Sequence, residues 1–195
     1  MEHASVQKTA KVLRVLVLVV FVLNLLCLLL TPGATAYVAD GGSDRLFRAL
    51  QGEVERWMGQ GEHFPMGIIF VVSWWAVWSR AETAVLTVFF WLCGVCTAVI
   101  LWQAKKVLDT ILQGNPFQQA NARALKRAAV CCWIISGASL VRLVVWIWAD
   151  GTLAPLFTYT TLFVPAFFMA GLLFLVMSAL FGQAAELKED QDLTI

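Results

Sequence analysis

Four apolar runs, each about as long as a bilayer is thick, constrain this chain more than any other feature. They lie at residues 12–30, 83–102, 128–148 and 160–181. At about 1.5 Å per helical residue each run covers roughly 28–33 Å, matching a hydrocarbon core of ~30 Å. No water reaches a backbone N–H or C=O inside lipid, so such a run spans as an α-helix with its hydrogen bonds internal. Composition points the same way. Of the 195 residues 60% are hydrophobic and 14% charged, against roughly 25% charged in an ordinary soluble domain. The expected fold is all-α: an integral membrane four-helix bundle forming a single domain over 1–195, with membrane lipid as its solvent.

The segments between the runs set its organisation. Lys8, Lys11 and Arg14 precede the first run and Ala34-Thr35-Ala36 follows it, a pattern shared with signal peptides. The run is longer than the usual apolar region of about 7–15 residues, which favours an uncleaved first helix. Thr31-Pro32-Gly33 is expected to end that helix. In the outer segment, 31–82, Ser43 can cap a helix over 44–58. Its apolar side chains, including Leu46, Leu50, Val54 and Trp57, fall on one face, which suits a helix lying on the membrane surface or on the bundle. Residues 64–78 are apolar but short, and are read as interfacial or re-entrant rather than as a fifth span. After the second run the helical pattern continues to Leu112. Gly114 then fits the residue just past the helix end, with Asn115-Pro116 enforcing the break. Pro165 is expected to kink the last span.

Charge sets sidedness. Nine of the basic residues flank the N-terminus, the loop 103–127 and the tail 186–195; four (Arg45, Arg48, Arg56 and Arg80) fall in the longer segment 31–82. By the positive-inside rule both termini are cytoplasmic. Five of the nine Trp, at 74, 75, 78, 146 and 148, then gather at the outer boundary, and Trp102 marks the inner one.

Polar residues inside the runs are the candidates for chemistry. Arg142 in the third run and Asn24 in the first are costly in hydrocarbon. They read either as an anion or ligand site, or a charge network that holds the bundle closed, or else as an Arg that snorkels to the outer interface. Cys93 and Cys96 share a helical face, yet the two His, His3 and His63, lie outside the spans, and a metal site needs more ligands. Small packing residues are the plainer reading for these thiols and for Cys131 and Cys132. Ser136-Gly137-Ala138-Ser139 reads as a close helix contact. No phosphate loop, nucleophile elbow or zinc-protease helix is present. Catalytic, cofactor-binding and metal residues are therefore expected to be none, with no direct nucleic-acid binding.

Two motifs remain. The inner loop reads Gly114-Asn115-Pro116-Phe117, then Asn121 and Leu125. The chain ends with Glu186, Leu187, Lys188, Glu189, Asp190, Gln191, Asp192, Leu193, Thr194 and Ile195. Together they resemble bacterial membrane proteins of the domain of unknown function 2975 family, which show a Gly-Asx-Pro-Phe turn, a following Asn and Leu, and an ending close to Asp-Leu-Thr-Ile. The resemblance covers 83–195 well and the first span by position. It implies a four-helix protein of the bacterial cytoplasmic membrane without an established activity. Genes of that family often lie beside a small helix-turn-helix regulator, which implies such a regulator as partner.

The expected function is that of a non-enzymatic regulatory or accessory protein acting through its loop and tail. The tail acids are expected either to fold back on Arg123, Lys126 and Arg127 or to continue the fourth helix into water. The alternative is a small transporter or channel subunit with a polar site at Arg142 and Asn24.

Overall fold

The computed structural model of the chain describes residues 2–39, 74, 75, 77, 78, 81–151, 156 and 159–192. They form α1 (Glu2–Ala39), α2 (Ala81–Leu112), α3 (Gln119–Asp150) and α4 (Phe163–Asp192), with a 3₁₀ turn at Tyr159–Leu162 leading into α4. Each of the four carries a stretch long and apolar enough to cross a membrane: Gln7–Thr35, Ala81–Leu112, Gln119–Ala149 and Phe163–Gln191. The all-α membrane four-helix bundle expected from the apolar runs is the architecture found. The helices overshoot the runs. The 30 residues of α4 reach about 45 Å, some 15 Å more than a hydrocarbon core. The expected helix at 44–58 lies outside the described residues, as do Arg45, Arg48, Arg56 and Arg80. Of 64–78, the described residues Trp74, Trp75, Val77 and Trp78 are helical.

Two prolines behave differently from expectation. Pro32 does not end α1, which runs on to Ala39. A proline in a helix leaves the carbonyl four residues earlier without its donor; here that carbonyl belongs to Leu28. The indole Nε1 of Trp91 donates to Leu28 O at 3.2 Å. The freed acceptor is thus satisfied from α2, and the helix continues. Pro165 does not sit mid-helix. It lies in the first turn of α4, where its missing N–H has no helical partner to lose.

The described contacts divide the chain into two compact units, one of Met1–Asn24 with Val95–Ile195, the other of Leu25–Gly94. Along α1, Ala10 and Val17 are buried and Phe21 and Asn24 half-buried in the first unit; in the second, Thr31 and Thr35 are buried and Leu28 half-buried. In the first unit Arg14 Nε meets Asp109 Oδ1 at 2.7 Å, and Phe21 packs on Trp102 with centroids 5.8 Å apart. In the second, a Cβ on Gly94 would run into the Leu28 side chain, so glycine lets α1 and α2 approach there. Thr35 and Thr87 join their hydroxyls at 2.8 Å. Those hydroxyls also reach Pro32 O and Thr83 O respectively. Two protons serve three contacts in a fully buried site, so the pair links the helices whichever hydroxyl donates. Trp91 also packs at a tilt against Trp74 and Trp78, with ring centroids 5.6 and 6.0 Å away. Thr83 donates to Val77 O at 2.6 Å.

In the first unit α3 and α4 form the most extensive helix pair. The close approach is made by Gly171, where a Cβ would overlap the Trp133 indole and come within 3.2 Å of Ala129 O. Ser136 of the small-residue run donates to Val164 O at 2.8 Å, whereas Gly137 has open space beside it.

Candidate functional site

The loop motif is a rigid turn, and the bonds that make it rigid can be followed from the last residues of α2. The N–H of Gly114 donates to Ile111 O and that of Asn115 to Thr110 O, both at 3.1 Å. This paired arrangement closes the orphan carbonyls of a helix end, and it needs a left-handed residue at its centre. Gly114 supplies it with φ +78°. Pro116 then breaks the backbone, and Gln118 takes extended geometry before α3 starts.

Asn121 locks this turn from the other side. It is 2% exposed. Its Nδ2 donates to Thr110 Oγ1 at 2.6 Å and to Pro116 O at 2.7 Å. One amide thereby ties the end of α2, the loop and the first turn of α3. An Asn at this place gives two donors from one short side chain, which neither Ser nor Asp can do.

The outgoing half of α4 is fastened to the same turn. Ser178 Oγ donates to Ala122 O at 2.7 Å. Phe117 packs against Phe181 with centroids 5.7 Å apart. Lys188 Nζ donates to Asn115 Oδ1 at 2.8 Å. The tail therefore continues α4 as a helix to Asp192 and at the same time reaches back to the loop through Lys188. Glu186, Leu187, Glu189 and Asp190 are exposed on it, as are Arg123, Lys126 and Arg127 at the start of α3; Leu125 is half-buried. Leu193 and Ile195 lie outside the described residues.

The structure thus brings Gly114, Asn115, Pro116, Phe117 and Asn121 into one site with part of the tail. Sequence reasoning missed Thr110, Ser178 and Phe181. Ser178 carried a usable signal, being the one hydroxyl residue between positions 163 and 181. Thr110 and Phe181 carried none, since their partners are fixed by how the turn folds.

The intramembrane polar residues sit apart from this turn. Arg142 is half-buried on α3 with its guanidinium 5.8 Å from the ring centroid of Trp146, one turn further along the helix. Asn24 is half-buried on α1, and its Oδ1 is buried without a hydrogen-bond partner among the described residues. Arg142 does not supply that partner. Among the thiols, Cys96 and Cys132 are buried, and Cys131 is in hydrogen-bond contact with Cys96. None of the five cysteines is in a disulfide. Among the described residues no group of three or more His, Cys, Asp or Glu is placed to share a metal ion.

A family model described as a protein of unknown function (DUF2975) matches residues 55–195, which include the turn and the tail. Searches of curated proteins and of solved structures gave no significant match.

Proposed function

The chain belongs to the DUF2975 family of unknown function, and from that premise we propose that it is a non-enzymatic regulatory or accessory protein of the bacterial cytoplasmic membrane. It acts through the face built from the α2–α3 turn and the end of α4, with both termini in the cytoplasm. The observation that carries this reading is the Lys188–Asn115 bond, which joins the two separate sequence motifs at the surface. The bond is exposed, so water competes for both groups and a partner can displace it at little cost. Phe117 and Leu187, 47% and 65% exposed, give that partner apolar anchors beside the acidic groups of the tail. A cytoplasmic helix-turn-helix regulator is the proposed partner.

The test is co-purification of the full-length protein with any small helix-turn-helix regulator encoded beside its gene. Capture should be lost on deleting residues 186–195 and weakened by Phe117→Ala. Failure of the intact protein to retain the regulator, with or without detergent, would overturn the partner. A reporter fused to the C-terminus that proves active only outside the cytoplasm would overturn the sidedness.

One observation favours a second reading, a small transporter or channel subunit. Asn24 Oδ1 is a buried acceptor awaiting a donor, and such groups in spans often mark a path for ions or water. Flux through reconstituted vesicles that falls with Asn24→Leu and Arg142→Gln would support it over the first.

A further inference from the structure

Two lysines near the start of α1 stand at the mouth of an apolar furrow. Lys8 and Lys11 are exposed and, three residues apart, share one side of the helix. Residues 11, 15 and 19 form one ridge along α1, and 12, 16 and 20 form the next. The furrow between them is a shallow groove, open along its length and lined by Lys11, Val12, Val15, Leu16, Val19 and Val20. Four of these six are valines, whose short branched side chains keep the ridges low. Beyond Lys11 the lining is wholly aliphatic.

Length and charge say what fits. From residue 11 to residue 20 the helix rises about 14 Å, close to half of a ~30 Å hydrocarbon core, so the furrow is one leaflet deep. The third cation of this helix end, Arg14, is already matched by Asp109 at 2.7 Å. Lys8 and Lys11 have no acidic side chain in ion-pair range among the described residues, and they lie at the end of the furrow where a headgroup would sit. We propose that this side of α1 binds one anionic phospholipid, with an acyl chain along the furrow and its phosphate between Lys8 and Lys11. A zwitterionic lipid offers the same chain and phosphate but carries its own cation, so it gains less from the two lysines. The site is separate from the α2–α3 turn and stands whether or not the regulatory reading does.

The full-length protein is placed in nanodiscs of equal phosphatidylglycerol and phosphatidylcholine, and the lipid retained after gentle detergent extraction is identified by native mass spectrometry. Phosphatidylglycerol should be retained preferentially. Each of Lys8→Gln and Lys11→Gln should lower that preference about fivefold, the worth of one lysine near an anionic headgroup. Lys188→Gln removes the same charge elsewhere and should leave it unchanged. Val15→Trp fills the furrow without touching charge, and should reduce retention of phosphatidylglycerol with helix content preserved. Phosphatidylglycerol with a photoreactive chain should label residues 12–20. Equal preference in the lysine variants and the parent, or labelling spread evenly over the exposed sides of α1, α3 and α4, would overturn the proposal.

Discussion

Trp91 donates its indole N–H to the backbone oxygen of Leu28, the carbonyl that Pro32 leaves without a helical donor. A residue of α2 thus repairs a defect built into α1. The repair also explains why Thr-Pro-Gly, a helix stop in water, lies inside a continuous helix here. Beside it, Thr31 and Thr35 turn their hydroxyls back onto the helix, to Cys27 O at 2.8 Å and Pro32 O at 2.9 Å.

Trp91→Phe should therefore destabilise the protein by about 1 kcal/mol through the orphaned carbonyl. In a Pro32→Ala background, residue 32 has its own N–H and Leu28 O no longer depends on the indole. The cost of Trp91→Phe should then fall towards that of lost packing alone. A double-mutant cycle on unfolding in mixed micelles measures the difference. Equal costs in the two backgrounds would show that the bond contributes nothing.

Gly114→Ala should cost about 1–2 kcal/mol, because an L-residue must take the left-handed conformation there. A Cβ at Gly114 meets nothing within 4 Å, so the effect is purely of the backbone. Gly114→Asn should recover part of it, since Asn tolerates that region best after glycine. Thermal unfolding of the three proteins in the same detergent gives the order.

Asn121→Ala removes two bonds from a buried site and leaves Pro116 O without the amide donor. The expected loss is about 1–3 kcal/mol, concentrated in the turn. Hydrogen exchange should quicken at 113–122 before it does in the middle of α3. Uniform acceleration across all four helices would mean that Asn121 is a general core residue rather than the lock of the turn.

Gly171→Ala should loosen the α3–α4 pair, since the added methyl overlaps the Trp133 indole. Overpacking of this kind costs about 1–3 kcal/mol. Trp133→Leu frees the space, so the double variant should be less destabilised than the sum of the singles. Additive losses would place the clash elsewhere.

How far the sequence could be read depended on whether a feature was local. Gly114 was legible because a left-handed helix end and a following Pro act within a few residues. Gly151 ends α3 in an equally local way, with φ +63° and its N–H on Ile147 O at 3.0 Å. The turn as a site was half legible: its motif residues stood out, but Thr110 and Phe181 have no mark in the sequence.

The four crossings follow from the sequence alone, because in lipid a run of apolar residues has one way to satisfy its own backbone. Tertiary structure decided what happens at Pro32, where a donor 63 positions away in the chain carries the helix onward. It also brought Lys188 of the tail to Asn115 of the loop. Charge in the sequence pointed to the tail acids and the loop bases, while the bond described is Lys188 to Asn115. Both outcomes depend on where one helix places a side chain against another, and the apolar pattern, nearly uniform around each helix, carries little information about that.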